Sequence, residues 1–183
     1  CFGLIGMIST FGMLGRTNDL HVYAPQALQP LLDAQLELFC TGLGFKVIFH
    51  EVDTTRQAVI YEDRSLTVES LPLDHRIACS GFLFKEKETA RHILRDMIDC
   101  YEIPVSQINN IKLGANWVDD EGRTVPNERL VTPADPARAY AYCSDTRYMP
   151  QLHKAVQGVN TLYHEATYDS SMASRARLYY HST

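Results

Sequence analysis

The 183-residue sequence lacks the short motifs that mark several large enzyme classes. It has no Gly-x-Gly-x-x-Gly segment between a strand and a helix, so it does not predict a dinucleotide-binding fold. It has no Gly-x-Ser-x-Gly segment, which a hydrolase with a serine at a nucleophile elbow would carry. A nucleotide cofactor and a catalytic serine are therefore not the chemistry that this sequence indicates.

Long apolar runs and paired cysteines are missing as well. The opening segment CFGLIGMISTFGMLG is shorter than the roughly 20 residues of a membrane-spanning helix, and it lacks the charged start and the cleavage site of a signal peptide. The five cysteines include no Cys-x-x-Cys pair and mostly have apolar neighbours, which favours free thiols in a reducing compartment. We therefore expect a cytoplasmic protein with no membrane segment.

Basic residues are not in excess. The chain has 17 Lys and Arg against 22 Asp and Glu, a formal net charge of −5. Such a surface does not attract nucleic acid over its whole area, although it leaves room for a local basic patch. With 45% hydrophobic and 21% charged residues the composition is globular, and the length suits one domain with a proper core. We expect a single domain over residues 1–183.

The hydrophobic pattern predicts helices and strands in a mixed order. Residues 2–15 predict a buried helix, and a second helix follows Pro25 until the glycines at 42 and 44. The segments FKVIFHEVD, QAVIYED, LTVESLPLD and SGFLFKEK predict strands, and so do ARAYAYCSD and NTLYHEA. Helices are predicted over KETARHILRDMIDCYE and MPQLHKAVQGV, and a hairpin with its turn at Glu121-Gly122 over NWVDDEGRTVPNERLV. This order suits a layered α/β or α+β protein.

Polar residues follow three of the predicted strands at the point where each ends. Asp74 and His75 follow LPL, Asp145 follows YCS, and His164 and Glu165 close TLYHE. The chain then ends on a further histidine, in the sequence His-Ser-Thr. Singly, an Asp after a strand is most often a turn residue and a lone His is most often structural. Together they suit a divalent ion such as zinc, or manganese where carboxylates dominate.

Three segments resemble the ribonuclease Z family, the tRNA 3′-processing endonucleases of the metallo-β-lactamase superfamily. They are LPLDHRIACSGF, AYCSDTRYMPQL with GVNTLYHEATY, and the closing HST, and they occur in the family's order. FGLIGMIST also resembles the helix that follows the family's first metal motif. The resemblance implies an α+β fold, the metallo-β-lactamase-like αβ/βα four-layer sandwich, present in part. It implies precursor tRNA as the substrate.

The same resemblance implies a role for each candidate site residue. His75 corresponds to a ligand of one zinc ion, Asp145 to the carboxylate that bridges two zinc ions, and His181 to a ligand of the second. His164 corresponds to the histidine that protonates the leaving group or contacts the scissile phosphate. Glu165 corresponds to a residue that orients this loop from behind the metal ligands. Two zinc ions per subunit are expected, with manganese as the alternative.

The sequence departs from the family's pattern in its metal motifs. The family's first metal motif, His-x-His-x-Asp-His, is absent, and with it most of the ligands. We therefore expect the 183 residues to be an internal fragment of a longer polypeptide. Three ligands are too few for two ions, so we expect the fragment alone to bind metal weakly and to have no nuclease activity.

A second departure lies in residues 86–114, where bacterial members of the family often carry a Gly-Pro-rich segment in a tRNA-binding arm. Here EIPVSQINNIKLGA keeps the Pro and the Leu-Gly but not the Gly-Pro pair. Lys85, Lys87 and Arg91 would supply phosphate contacts in a modified arm, and a solvated helix face is the alternative. The apolar amino-terminal helix predicts a homodimer, as in the family.

Two other functions remain open at this point. One is a small-molecule phosphodiesterase or sulfatase-like hydrolase of the same superfamily, with no tRNA arm. The other is a non-catalytic dimerising module that has lost the nuclease centre. Cleavage of precursor tRNA separates the first of these from a tRNA nuclease, and the sequence before Cys1 decides the second.

Overall fold

A computed structural model describes residues 3–183, so the expectation that the first helix includes Phe2 lies outside the described part. The chain forms two compact units. The first consists of the described residues up to Glu62, Val68–Phe84 and Tyr140–Thr183, and the second of Asp63–Thr67 and Lys85–Ala139. The mixture of helices and strands confirms the predicted α+β class.

The helices and strands of residues 3–183 follow in this order. They are α1 Leu4–Met13, β1 Leu20–Ala24, α2 Gln29–Phe39, β2 Val47–Glu51, β3 Ala58–Glu62, β4 Leu66–Pro72, β5 Ser80–Glu86, β6 His92–Ile93, α3 Arg95–Cys100, α4 Val105–Lys112, β7 Trp117–Val118, β8 Thr124–Val125, α5 Asn127–Leu130, β9 Val131–Thr132, β10 Ala139–Cys143, α6 Leu152–Ala155, β11 Thr161–His164 and α7 Ala173–Leu178. Short 3-10 helices precede α2 and α7. No helix in this range is both long and apolar enough to cross a bilayer.

The first unit begins with a small parallel sheet and two helices. β1 and β2 pair in parallel, with Leu20 opposite Val47. α1 and α2 each turn an apolar stripe inward, because their apolar residues recur at helical spacing. The buried residues of this layer are Ile8, Leu32, Cys40 and Phe45. The two helices predicted from the sequence are therefore confirmed within the described residues.

The larger sheet has five strands in the order β11-β10-β5-β4-β3. β10 and β11 run parallel, with Cys143 opposite His164. Along β10 the exposed tyrosines alternate with buried residues, as expected of a strand with one face against a core. That core consists of Leu71, Leu83, Ala141, Cys143 and Leu152. All six predicted strands are present. The predicted site residues follow three of them, β4, β10 and β11.

The second unit has a core of its own, under two short antiparallel sheets. β6 pairs with β9 and β7 with β8, and the turn between β7 and β8 contains Glu121 and Gly122, as predicted. Its buried residues are Ile103, Ile111, Val125, Leu130 and Val131. The unit contains all of residues 86–114.

The helix predicted over residues 87–102 is wrong in its first half. Ile93 pairs with Val131 in a strand, and the Leu94 N–H donates to the Leu130 carbonyl at 2.9 Å. α3 therefore begins only at Arg95, and it ends before Glu102, whose φ of 46° is left-handed. The apolar residues of this segment lie partly in the strand β6 and partly in the helix α3. Helical spacing in the sequence does not distinguish the two.

Candidate functional site

The polar ends of three strands meet within the first unit. Asp74 and His75 follow β4, Asp145 follows β10, and Glu165 follows β11. Because β10 and β11 are parallel, their carboxyl ends lie at the same edge of the sheet. The Glu165 N–H donates to the Cys143 carbonyl at 3.0 Å, which extends this pairing into the loop.

His75 and His181 lie side by side, with ring centroids 5.0 Å apart and planes tilted by 59°. His75 Nδ1 lies 3.1 Å from the Tyr180 carbonyl oxygen, and His181 Nδ1 lies 2.7 Å from Glu165 Oε1. A carbonyl oxygen and a carboxylate only accept, so Nδ1 carries the proton in both rings. In the neutral form each Nε2 is then left with a lone pair, which is what a metal ion or a proton binds.

Glu165 is the hub of this arrangement, and only 7% of its surface is exposed. Its carboxylate accepts from the Thr167 N–H and hydroxyl, the Thr146 N–H, the Ser182 N–H and His181 Nδ1. Burial raises the pKa of Glu165, but these hydrogen bonds, led by those of Thr167 and His181, outweigh it and lower the pKa to about 2. The carboxylate is therefore ionised at neutral pH and ties three loop segments together.

In His164, too, Nδ1 is the nitrogen that carries the proton, but its acceptor is a different one. Its Nδ1 lies 2.8 Å from the Glu165 carbonyl oxygen, so Nδ1 donates and Nε2 is left over. His164 lines a cavity of about 380 Å³ together with Tyr148 and Leu162. The three predicted site histidines therefore all belong to the first unit, and each has Nδ1 fixed by an oxygen.

Asp145 sits in a strained turn beside Cys79. Its φ of 58° is left-handed, a conformation that Asp tolerates better than most residues. The Cys79 thiol donates to the Asp145 carbonyl at 3.2 Å. Burial, followed by the charges of Asp145 and Asp74, raises the pKa of Cys79 to about 11, so the thiol is protonated at neutral pH.

The donor set fits part of a metal centre. Two imidazoles lie together with their Nε2 atoms available, and His181 has the carboxylate partner that a metal-bound histidine usually has. Within residues 3–183, however, no group of three or more His, Cys, Asp or Glu side chains is gathered closely enough to hold an ion. The His75–His181 pair thus fits part of a metal site, and the described residues do not form a complete one.

Arg147 is a site residue that sequence reasoning missed. Its Nε donates to Asp74 Oδ2 at 2.6 Å, and its N–H donates to the Asp74 carbonyl at 3.0 Å. Its guanidinium also lies 4.7 Å from the ring centroid of Tyr180, a residue with a left-handed φ of 60°. Arg147 thereby links the segment that carries His75 to the segment that carries His181. Asp74 lies 73 residues earlier in the chain, so no spacing pattern signals this pair.

The candidate phosphate-binding residues lie in the second unit. The Arg91 guanidinium donates to Oδ1 of the buried Asn127, whose amide in turn donates to the Ile111 and Ala115 carbonyls. Arg91 therefore has a structural contact within this unit. Lys85 and Lys87 lie at and just beyond the end of β5, and their contact with RNA stays a prediction.

Comparison with known proteins relates the whole chain to one group of enzymes. It is 53% identical over all 183 residues to a ribonuclease Z of Bacteroides fragilis, of which it covers 60%. It is 50% identical to a ribonuclease Z of Bacteroides thetaiotaomicron, covering 58%, and 44% identical to one of Porphyromonas gingivalis, covering 60%. No protein-family model matches the chain. The chain thus spans about three fifths of the length of these relatives.

The fold agrees with that of a solved structure. The short form of human tRNase Z matches with a TM-score of 0.58 at 19% identity, over 100% of this chain and 59% of that one. This match, with the mixed sheets and helices, supports the expected α+β metallo-β-lactamase-like fold. The identity of 44–53% to the bacterial proteins is maintained across all 183 residues, so the whole chain is similar to ribonuclease Z.

Proposed function

We propose that the protein containing these 183 residues is a zinc-dependent endoribonuclease that removes the 3′ trailer from precursor tRNA. The observation that carries the proposal is the His75–His181 pair, with the second ring held by the ionised Glu165. Relatives named ribonuclease Z match the chain over its whole length, which gives the pair its chemical context. The proposed location is the cytoplasm.

The metal centre is assembled from this chain and from sequence beyond it. In the proposal, His75 and His181 would each hold one zinc ion through Nε2, and the Asp145 carboxylate would be a ligand shared by the two ions. The remaining ligands come from the part of the longer relatives that this chain does not cover. When bound, such ions supply Lewis-acid activation of water and neutralise charge on the phosphate oxygens. Manganese is the alternative ion, since a bridging carboxylate suits it.

His164 supplies the proton in this proposal. A proton on Nε2 leaves the Nδ1 hydrogen bond to the Glu165 carbonyl unchanged, so the ring can lose and regain it without turning. The proton passes from Nε2 to the departing 3′ oxygen of the tRNA, and the neutral ring takes another proton from solvent. Glu165 has a positioning role in the proposal. Its carboxylate accepts hydrogen bonds that fix the ring of His181 and the loop at Thr167.

Zinc content tests the ligand assignment. The full-length protein is purified as the wild type and as His75→Ala, His181→Ala and His153→Ala, and bound zinc is measured by mass spectrometry of the metal. His153 is the control, because it lies on α6 and its Nδ1 contacts the Pro150 carbonyl. We expect the first two variants to lose zinc and the control to keep it. A His181→Ala protein with full zinc but no activity would assign His181 to proton transfer instead.

Substrate preference tests the reaction. The full-length enzyme is incubated with a precursor tRNA and, separately, with bis(p-nitrophenyl) phosphate. Release of the 3′ trailer, abolished in His164→Ala, is the expected result. Hydrolysis of the small ester without cleavage of the tRNA would favour the small-molecule phosphodiesterase. The 183-residue chain alone is expected to be inactive on both, and tRNA cleavage by it would contradict the proposed need for further ligands.

A further inference from the structure

Tyr148 lines two cavities that lie beside the histidines of the first unit. Tyr148 follows shortly after the strained turn at Asp145, and it is 77% exposed. One cavity, of about 450 Å³, includes His181 in its wall, and the other, of about 380 Å³, includes His164. Both volumes fall within the range of about 300–1,000 Å³ that is usual for small-ligand sites. The two cavities also share Ser182, so they adjoin each other.

The cavity at His181 is suited to an anion. Arg147 and Arg177 line it, together with the imidazole of His181. Among residues 3–183, no Asp or Glu side chain lines this cavity. Arg147 is paired with Asp74, whereas no acidic side chain of the described residues pairs with Arg177. Arg177 therefore has its charge available, and its planar fork suits two phosphate oxygens at once.

The geometry of α7 turns this charge toward the cavity. Ala173 and Ala176 line the same cavity, and Ala176 is buried. Small side chains at these two positions leave room beside the helix, where a larger residue would fill the space. Arg175 lies on the same helix, but its guanidinium packs over the ring of Tyr179, 5.8 Å from its centroid, and it does not line either cavity.

The cavity at His164 is suited to an aromatic ring. Its wall is largely apolar and includes Met149, Leu152, Val156 and Leu162. Tyr148 lines the same cavity, and its exposed ring offers a flat surface. Nucleobases stack on such rings whatever their sequence, because every base has a π face.

The cavity at His181 suits a phosphate and the cavity at His164 suits a base, and a nucleotide contains both. We propose that they form one nucleotide-binding cleft, in which Arg177 holds a phosphate of the RNA and Tyr148 stacks on a base next to the scissile bond. This inference rests on the proposed function and names two substrate-binding residues for it. The base lies on the side of His164 and the phosphate on the side of His181.

Binding of RNA without turnover tests the cleft. The probe is a fluorescein-labelled 12-nucleotide single-stranded RNA, titrated by anisotropy with the full-length protein as purified, and gel electrophoresis confirms that the probe stays intact. Arg177→Gln and Tyr148→Ala should each weaken binding about tenfold. The slope of the logarithm of the binding constant against the logarithm of the salt concentration should decrease in size by about one for Arg177→Gln. The slope should stay unchanged for Tyr148→Ala. Arg175→Gln is the matched control on the same helix, and Tyr148→Phe keeps the ring, so both should bind as the wild type does.

The outcomes separate the cleft from the nuclease proposal. Arg177→Lys retains the charge and should retain most of the binding, which distinguishes a lost contact from a damaged fold. Equal binding by Arg177→Gln and Arg175→Gln, while the wild type cleaves precursor tRNA, would overturn the cleft and leave the nuclease standing. Selective loss of RNA binding in Arg177→Gln and Tyr148→Ala, without tRNA cleavage by any of the proteins, would support the cleft and overturn the nuclease.

Discussion

Three histidines of the first unit share one arrangement of their ring nitrogens. In His75 and His164, Nδ1 donates to a main-chain carbonyl, and in His181 it donates to the Glu165 carboxylate. A charged acceptor raises the basicity of the opposite nitrogen more than a neutral one does. His181 is therefore the one of the three whose ring is held by a charged partner.

Replacing the carboxylate of Glu165 tests its role as the hub of the site. In Glu165→Gln one oxygen becomes an NH₂ group, which faces either the Thr146 N–H or the Thr167 N–H; a main-chain N–H cannot accept, so at least one donor is left unpaired. A buried donor without a partner costs about 1–3 kcal/mol, so the free energy of unfolding should fall by about 2 kcal/mol. Urea unfolding of the 183-residue chain followed by circular dichroism measures this change.

The control for this variant is Asp169→Asn, which removes an exposed carboxylate close by in the chain. Asp169 accepts from the Ser171 N–H at the start of a short helix, a position where Asn is as good as Asp. Its unfolding free energy should change by less than about 0.5 kcal/mol. Equal stability of Glu165→Gln and the wild type would show that the five hydrogen bonds do not hold the loops together.

At the scale of elements, the large sheet depends on a close approach at Gly81 in β5. A Cβ atom at this position would lie 2.7 Å from the Tyr142 carbonyl and 3.4 Å from Cys143 Sγ, both in β10. The carbonyl belongs to the backbone of the neighbouring strand and cannot move aside without disturbing the pairing. Gly81→Ala should therefore lower the unfolding free energy by about 1–3 kcal/mol.

Gly12→Ala is the matched comparison for this substitution. A Cβ atom at Gly12 in α1 would also lie 2.7 Å from a neighbour, but that neighbour is the tip of the flexible Leu43 side chain. Alanine also favours a helix over glycine by about 1 kcal/mol, so this variant should be neutral or more stable. The measurement is the difference between the melting temperatures of the two variants. A similar decrease of the melting temperature in both would show that the backbone of β10 yields as readily as the Leu43 side chain.

The hairpin of the second unit should respond to acid through Asp119. Hydrogen bonds from the side chain and N–H of Arg123 lower the pKa of Asp119 below its ordinary value of 3.8, against a smaller opposite effect of burial. A lowered folded-state pKa means that the stabilisation is complete above the unfolded value and is lost as the pH falls through the folded value. The hairpin should thus loosen only below about pH 3.8.

The chain's single tryptophan, Trp117, lies in β7 of this hairpin and reports on it by fluorescence. A fluorescence change below pH 3.8 should be present in the wild type and in Asp120→Asn, where the neighbouring exposed carboxylate is removed. Asp119→Asn should lose this transition and begin in the loosened state at neutral pH. An identical acid transition in Asp119→Asn would assign the change to other groups.

The sequence predicts elements well where local pattern decides, and poorly where contacts between distant segments decide. The strand LTVESLP and the turn at Gly122 follow from side-chain type alone. The segment at Ile93 has helical periodicity, but pairing with Val131 makes it a strand. In the site, the meeting of His75 with His181 was predictable only through family resemblance. The contribution of Arg147 was not, because its partner lies far away in the chain.

At the scale of the whole molecule, apolar side chains exposed on the first two helices bear on assembly. Ile8 and Leu32 are buried where the helices pack within the first unit. Other apolar residues of α1 and α2, and of the turn after α1, are exposed, namely Met7, Met13, Leu14, Leu31, Leu38 and Phe39. Several exposed apolar residues on two helices that contact each other are typical of a protein–protein interface. We therefore keep the homodimer through α1 as a prediction.

A charge on the exposed side of α1 tests this dimer. Met13 is 78% exposed, so Met13→Asp leaves the core of a monomer intact while it places a carboxylate in the expected interface. Phe11 is unsuitable for this purpose, because it packs against the buried cluster of α1 and α2. Val105→Asp is the control, since Val105 is 83% exposed at the start of α4 in the second unit.

Light scattering after size-exclusion chromatography gives the mass of each variant of the 183-residue chain. The wild type and Val105→Asp should have twice the chain mass of 20.7 kDa, and Met13→Asp should have 20.7 kDa with an unchanged melting temperature. Burying an unpaired carboxylate costs several kcal/mol, which exceeds what a small interface can offset. A wild-type mass of 20.7 kDa would contradict the predicted dimer, and a dimeric Met13→Asp would place the interface away from this face of α1.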